Sequence, residues 1–470
     1  MSKYETVIGL EIHAELNTNT KIFCGCKNEF NSEPNANVCP VCMAVPGSLP
    51  IPNRAAIEKT ILAGLAFGCK INDVAIFERK HYFYPDLPGG YQTSQMQRPI
   101  CLGGFVDLKS GKRINLNRIH LEEDAGKLVH DEIKGKSYID LNRGGTPLIE
   151  IVTEAEITSA PEATEFLEEV RSRLVFAGVA NCKMEEGGMR CDVNLSLRPV
   201  GSKTFGKRVE MKNLNSFKMV ARAIDYEIKR QTELIENGKI ISVETRKWND
   251  TKGTNTPMRT KERAVDYRYF PDPDQPAIRI TDEDVRCLKK QLPTLAHEYR
   301  ERFTTELGLP QYDAEILTRE KSLCTFFLDS ITLLNEPKKV SNWLLTDILA
   351  RTINYEILLP PKQFTDVIRL VDGKKITRKT SPDLLDALWN TKNDAEATAK
   401  KMGLLNSVDT KELTNLIAAL IAENPKAVSD YPTTPEKVIN FFMGQIMKQT
   451  GGKADSDLTR NLIKNKLADC

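Results

Sequence analysis

Residues 7–16 alternate strictly: Leu10, Ile12, Ala14 and Leu16 fall on one face, and Glu11, His13 and Glu15 on the other. The same period runs through residues 189–198, where Cys191, Val193, Leu195 and Leu197 alternate with Arg190, Asp192, Asn194, Ser196 and Arg198. It returns in 207–212 (Val209 and Met211 against Arg208, Glu210 and Lys212) and in 118–124 (Ile119 and Leu121 against Arg118, His120, Glu122 and Asp124). A period of two predicts strands with one buried and one polar face, the habit of largely antiparallel sheets. Between them the spacing changes to three and four. Ser159-x-x-Glu162 is a capping box ahead of Ala163, Phe166, Leu167, Val170 and Leu174, with Gly178 as the stop. A second helix is predicted over 216–237, with Val220, Ala223, Ile224, Ile228, Gln231, Leu234 and Ile235 inward. The expected class is α+β, with helices on the apolar side of a sheet and the polar side left for ligands.

Beyond about residue 294 the spacing is almost continuously helical, at 340–353, 383–392, 411–422, 435–449 and 457–467. Pro360-Pro361 and Pro425 break the pattern, and 450–453 reads as a turn. A domain boundary is expected near 290, after the turn-rich segment 272–277.

Bulk composition is that of a folded globular chain. Of 470 residues 40% are hydrophobic and 28% charged, and 66 basic residues against 64 acidic ones leave a formal charge of +2. Such a balance does not announce a nucleic-acid binder, so any basic surface must be local. The apolar runs 61–67 and 413–422 fall short of the roughly 18–20 residues needed to span a bilayer. The first residues lack the apolar segment of a signal peptide, and a cytoplasmic location is expected.

Four of the eleven cysteines crowd together as Cys24-x-Cys26 and Cys39-Pro-Val-Cys42. Two close pairs joined by a polar loop suit a four-thiolate zinc knuckle, and four thiolates leave no open position, so the expected site is structural. Reduced thiols in a plain loop are the alternative. The polar strand faces gather Glu11, His13, Glu122, Glu123, Asp124, Asp192 and Glu210, and Glu150 interrupts the apolar run 148–152. A buried carboxylate is costly without a cation or hydrogen bonds, and a hard divalent cation is the natural partner for several acids. Arg143, Arg190 and Lys80 are suited to hold phosphate oxygens, with no Walker A pattern present. Solvated charges on a strand face are the competing reading. His120 and His130 stand alone in the sequence, and no triad nucleophile is evident. The aromatic segments 81–86 and 266–274 suit either base stacking or strand-end packing.

The motifs Val7-Ile-Gly-Leu-Glu-Ile-His13, Tyr82-Phe-Tyr-Pro-Asp86, Ile119-His-Leu-Glu-Glu-Asp-Ala-Gly-Lys127, Asp140-Leu-Asn-Arg-Gly-Gly-Thr-Pro-Leu-Ile-Glu150, Arg190-Cys-Asp192 and Lys212-Asn-Leu-Asn-Ser-Phe217 resemble the B subunits of the tRNA-dependent aspartyl/glutamyl amidotransferases. The run Phe441-Phe-Met-Gly-Gln-Ile-Met447 resembles their helical tail and the small YqeY-like proteins. The resemblance implies a glutamine-synthetase-like cradle over 1–293 with the knuckle at 24–42, an all-α domain over 294–405 and a YqeY-like tRNA-binding tail over 406–470. It implies ATP-dependent activation of the side-chain carboxylate of Glu on tRNA(Gln) or Asp on tRNA(Asn). Ammonia would come through a channel from a glutaminase (amidase) subunit, with a small tethering subunit completing a heterotrimer. It points to Glu11, His13, Glu123 and Glu150 as the catalytic core binding magnesium, with Glu122, Asp192 and Glu210 added as further magnesium ligands from their strand phase. Arg143, Arg190 and Lys80 would clamp phosphate or carboxylate. Many relatives carry Lys where this chain has Gly89, which departs from a residue linked to the channel, and the four cysteines are not universal in the family.

Two other readings remain open: a non-catalytic tRNA-docking scaffold, and a ligase acting on a free amino acid. For tRNA, Lys362, Arg369, Lys374, Lys375, Arg378 and Lys379 outnumber Asp366 and Asp372, and Lys437, Lys448, Lys453, Arg460, Lys464 and Lys466 lie in 434–470. Such local excess suits phosphate contacts. Neither DNA nor a membrane is an expected partner.

Overall fold

The alternating run at the start of the chain is a twelve-residue strand, β1 (Tyr4–Glu15). Ile8, Leu10, Ile12 and Ala14 are buried, and burying each larger side chain contributes roughly 1.5–3 kcal/mol. A one-residue slip would send Glu11 and His13 into that core, so the pattern fixes the register. The computed structural model describes residues 3–131, 133–260, 266–405, 410–450, 454 and 456–468. Two compact units emerge, Met1–Glu298 and Tyr299–Cys470.

In the first unit, β2 (Glu78–His81) and β3 (Tyr91–Ser94) form a hairpin. Six longer strands follow: β4 (Arg113–Glu123), β5 (Pro147–Thr153), β6 (Met189–Pro199), β7 (Val209–Leu214), β8 (Glu244–Asn249) and β9 (Thr254–Thr260). A ten-stranded sheet runs β9-β8-β7-β6-β1-β5-β4 and continues through the short strands Cys101–Leu102 and Lys70–Ile71, with Phe105–Asp107 paired to β4. β1 is antiparallel to both neighbours. The sheet is mixed, however, because β7 and β8 pair in parallel, and a parallel pair needs a long crossover.

Helix α1 (Arg54–Ala66) packs beside β4. α2 (Ala160–Phe176) and α3 (Phe217–Glu236) pack on each other, and α3 packs on β6 and supplies the β7–β8 crossover. Ser159 and Ser216 cap them by accepting from Glu162 N and Met219 N. Ala163, Phe166, Leu167, Val170 and Leu174 are buried as the spacing predicts. In α3 the sequence reading missed Glu227, which is fully buried. Arg230 answers it at 2.6 and 2.9 Å and Gln231 at 2.8 Å, so the charge is paired inside the core.

The second unit is helical among its described residues. The stretch expected as one helix over 340–353 is broken into Pro337–Trp343, a wide π turn Leu344–Ile348 and a tight turn Leu349–Arg351. The wide turn sets buried Asp347 against the Arg378 guanidinium at 2.5 and 3.1 Å. α4 (Lys321–Leu333) escaped the sequence reading, and α5 (Pro361–Asp372) begins at a proline read as a breaker. Proline at the first helical position loses no hydrogen bond, because that N–H has no partner in the helix. Phe327 of α4 meets Phe303 edge-on at 5.0 Å. α6 (Thr410–Glu423), α7 (Pro435–Gln449) and α8 (Ser456–Ala468) share a core of their own around Ile417, Ile439, Phe442, Ile446 and Ile463. The expected 405/406 boundary abuts residues 406–409, which, like Gly451, Gly452 and Lys453 of the expected turn, lie outside the described residues. No helix is long and apolar enough to cross a membrane among the described residues.

Candidate functional site

Pairing register turns separate strand faces into one surface. His13 of β1 lies opposite Glu150 of β5 and Arg190 of β6, and Glu150 lies opposite His120 of β4. Glu11 lies opposite Asp192, and Asn194 opposite Glu210. His120 and Glu122, Glu150, Glu11 and His13, Arg190 and Asp192, and Glu210 and Lys212 therefore share the face away from the buried aliphatics.

Two clusters form on that face. In the first, His13 Nε2 lies 3.4 Å from Glu150 Oε2 and 3.7 Å from Glu122 Oε1. His120 Nε2 lies 3.5 Å from both Glu122 Oε2 and Glu150 Oε2. Ser94 of the hairpin donates to Glu122 Oε2 at 3.1 Å. In the second, Glu11, Asp192 and Glu210 bring one oxygen each within 4.8 Å of one another, as do the donor atoms of His13, Glu122 and Glu150 in the first. Asn194 donates to Glu11 Oε1 at 2.9 Å, Thr245 donates to Glu210 Oε2 at 2.7 Å, and Lys212 pairs with both Asp192 and Glu210.

Electrostatics follow the geometry. Burial alone would push the His13 imidazole down, but the Glu150 hydrogen bond and the Glu150 and Glu122 charges hold it up at about 9. Burial would raise Glu150, yet His120, His13 and Lys80 keep it below the ordinary carboxylate range. Glu11 is raised by burial and by the Glu150 and Asp192 charges. Lys80, whose ammonium lies 5.1 Å over the Tyr267 ring, is lowered by burial but raised more by Glu122 and other anionic neighbours. The carboxylates of the first cluster, with the His13 imidazole once a cation displaces its proton, have the type and spacing for a divalent cation, and so has the second cluster.

Other expected residues sit elsewhere. Glu123 follows Glu122 on the strand and so points away from it. Its Oε1 accepts from Thr93 N at 2.8 Å, and burial raises its carboxyl to about 7. It lines a cavity of about 450 Å³ together with Lys21, Cys42, Arg79, Gly89, Tyr91 and Asp124. Glu123 is thus separate from both donor clusters, a correction to its grouping with Glu11, His13 and Glu150. Arg190 and Arg143 are drawn to Asp124, at 2.6 and 3.6 Å, and Arg143 also donates to the Ala125 and Gly126 carbonyls at 3.0 and 2.9 Å. Arg143 therefore clamps the loop after β4. Glu15 meets the same Asp124, and burial and that charge raise it to about 7.

The four cysteines converge. Cys42 Sγ lies 3.6 Å from Cys24, 3.8 Å from Cys39 and 3.9 Å from Cys26. Zinc–sulfur bonds of about 2.3 Å place tetrahedral ligands about 3.8 Å apart, so the thiols fit that metal. Fully buried Lys21 contacts Cys42 Sγ at 3.5 Å and donates to the Leu141 carbonyl at 3.0 Å, joining the knuckle to the loop after residue 140.

The aromatic segments pack on each other. Phe270 pairs with Arg79 and stacks on His81 at 5.0 Å, while Phe83 stays exposed. Of the basic residues in the helical unit, Arg369, Lys374, Lys375 and Arg378 meet Asp366, Asp457, Glu396 and Asp347, and Arg460 and Lys464 meet Glu436. Lys362, Lys379, Lys437 and Lys448 are at least partly open to solvent. Pairing reduces the local excess that composition suggested.

Sequence reasoning missed His120 and Lys212 as members of the clusters. Each shares its strand phase with a chosen acid, Glu122 and Glu210, which was the signal available.

Residues 6–286 match the family model described as the GatB/GatE catalytic domain, and residues 325–467 match the one described as the GatB domain. The chain is 45% identical to the B-type subunit of the aspartyl/glutamyl-tRNA(Asn/Gln) amidotransferase of Thermoanaerobacter sp. (strain X514) over 475 residues, covering 99% of this chain and 100% of the relative. It is 45% identical to the B-type subunit of the same amidotransferase in Caldicellulosiruptor saccharolyticus over 477 residues, covering 99% of each. With that of Trichlorobacter lovleyi it shares 44% over 475 residues, covering 99% of this chain and 100% of the relative.

Proposed function

The chain belongs to the GatB/GatE family, and from that membership we propose that it uses ATP to activate the side-chain carboxylate of Glu on tRNA(Gln), of Asp on tRNA(Asn), or of both, and then amidates it. It is a ligase component of a glutamine-dependent, tRNA-dependent amidotransferase. One observation carries the reading at the level of residues: two groups of oxygen and imidazole donors, His13–Glu122–Glu150 and Glu11–Asp192–Glu210, lie side by side on one sheet face.

A carboxylate is a poor acyl donor. Its oxygen attacks the γ-phosphorus of ATP, the β–γ bridging bond breaks, and ADP leaves with an acyl phosphate formed. Ammonia then attacks the acyl carbon, phosphate departs, and a proton is lost from nitrogen. His13, Glu122 and Glu150, and Glu11, Asp192 and Glu210, would hold magnesium, which when bound would supply the charge neutralisation that lets two anions approach. Ser94 and Asn194 orient Glu122 and Glu11, and the Lys80 ammonium faces the same surface to meet phosphoryl oxygens. Arg190 is the better placed of the two arginines for substrate anions, since Arg143 is engaged by backbone carbonyls. Glu123, on its separate cavity, suits handling of the incoming amine. A side chain at Gly89 would have its Cβ 3.1 Å from the Tyr91 ring, so Tyr91 fills space that a longer residue there would need.

The zinc reading rests on the thiol spacing. Purified chain is expected to carry about one zinc, and Cys39→Ser is expected to lose it and to lower the melting temperature by roughly 5 °C or more. Metal analysis and thermal denaturation check this, and a metal-free wild type of equal stability would refute it. Reduced cysteines also suit a cytoplasmic enzyme.

The expected partners are a glutaminase subunit, a small tethering subunit and tRNA, with residues 406–470 as the tRNA-binding tail and 294–405 as a separate helical domain. Deleting residues 406–470 is expected to weaken tRNA binding roughly tenfold or more while slowing ammonia-driven amidation less, at saturating tRNA. Equal tRNA affinity in a filter-binding assay would count against the tail. The direct test of the whole reading is reconstitution with the glutaminase and tethering subunits, each misacylated tRNA in turn, and detection of ATP-dependent Gln- or Asn-tRNA. Absence of product from both tRNAs, with ATP cleaved on free glutamate instead, would favour a free-amino-acid ligase.

A further inference from the structure

We propose that the buried Lys21 ammonium ties the zinc-thiolate knuckle to the segment 139–146, so that bound zinc also holds one wall of the cavity that Glu123 lines. The inference rests on the reading of the four cysteines as a zinc site and gives that site a task beyond its own loop.

Lys21 is fully buried, and among the described residues its ammonium makes two hydrogen bonds, to the Leu141 carbonyl at 3.0 Å and to Cys42 Sγ at 3.5 Å. A carbonyl and a neutral thiol do not balance a buried ammonium, whose desolvation is costly. Four thiolates around one Zn²⁺ leave about two negative charges, and Lys21 offsets one of them at contact distance. The same charge favours metal-bound thiolates over free thiols, so zinc and Lys21 support each other.

The knuckle reaches the same segment by a second route. Residues 27–38 have no buried member, so the loop between the cysteine pairs has no core to order it. Yet Asn35 donates to Asp140 Oδ1 and the Ile139 carbonyl at 3.1 and 2.9 Å, and accepts from Leu141 N at 2.8 Å. It does so at φ 60°, a left-handed conformation that asparagine tolerates. Asn142 donates to the Glu33 carbonyl at 2.6 Å and accepts from Asn37 N at 2.8 Å. Beyond this seam, Gly145 N donates to the Asp124 carbonyl at 3.0 Å, and Arg143 holds the Ala125 and Gly126 carbonyls. Lys21, Cys24, Cys42, Gly144 and Gly145 line the cavity together with Glu123, so knuckle and segment form one wall of it. Once the metal leaves, the polar loop regains its freedom, and its hydrogen bonds to 139–142 must compete with water.

The test compares the full-length chain loaded with zinc, stripped of it, and carrying Lys21→Met, which keeps most of the side chain's length without its charge. In wild type, removing zinc is expected to speed amide hydrogen exchange over 139–146 by about tenfold or more and to leave β1 unchanged. Competition with a chromophoric chelator is expected to show Lys21→Met binding zinc about 10–100-fold more weakly. With Co²⁺ in place of zinc, the thiolate-to-metal absorption band of Lys21→Met is expected to move to longer wavelength, because a sulfur that has lost its hydrogen bond gives up electron density more readily. Lys21→Gln, a second neutral variant, is expected to behave as Lys21→Met. Zinc affinity within about threefold of wild type in a folded neutral variant, or exchange over 139–146 that ignores the metal in wild type, overturns the proposal. Should both neutral variants fail to fold, the wild-type exchange comparison decides alone. If wild type takes up neither zinc nor Co²⁺ with a thiolate spectrum, the zinc reading itself falls and takes the proposal with it.

Discussion

Glu150→Gln in a reconstituted complex is expected to lower ATP-dependent amidation by about 10³-fold or more, equivalent to about 4 kcal/mol of transition-state stabilisation. Affinity for tRNA should change by less than about threefold. Glu150 stands between His13 and His120, with Oε2 at 3.4 and 3.5 Å from their Nε2 atoms. Glutamine has the same shape but no charge. It would leave His13 without the anion that most supports its raised pKa, and it would remove a ligand charge from the first cluster. Rate assays with saturating ATP, alongside tRNA binding, check this. Full amidation by the variant would return these acids to a structural role and the chain to a docking scaffold.

His120→Ala is expected to weaken divalent-cation binding by about 10–100-fold and to reduce amidation in proportion at limiting Mg²⁺, with recovery as Mg²⁺ is raised. His120 is 2% exposed and touches both Glu122 and Glu150, so it orients two carboxylates of the cluster at once. The change also leaves space in a buried polar region, at about 1–3 kcal/mol of stability. A merely structural histidine would lower the melting temperature without moving the Mg²⁺ dependence. A rate deficit that no concentration of Mg²⁺ repairs would therefore argue against the positioning role.

Legibility varied with the range of the information needed. The buried phase of β1, the capped start of α2 and the tail helix Pro435–Gln449 were readable because each depends on residues within one element. The break after Trp343 was not, since the wide turn there answers a distant arginine, Arg378. Buried Glu227 was not, because its compensation by Arg230 and Gln231 is a matter of packing rather than hydrophobicity. At the site, grouping Glu123 with Glu150 was the instructive error. Adjacent carboxylates look equivalent in a list of residues, but the pleat sends them to different surroundings.

Sequence by itself determined which face each of these strands would bury, because side chains alternate with a period of two and apolar atoms must leave water. It also determined that four thiols lay close enough along the chain to meet, at Cys24, Cys26, Cys39 and Cys42. Only the tertiary structure decided who stands beside whom. His13, His120, Glu150 and Arg190 come from strands far apart in the chain, and their meeting depends on pairing register across β4, β5, β1 and β6. Register is set by the fit of whole strands against a shared core, and no single strand's pattern contains it.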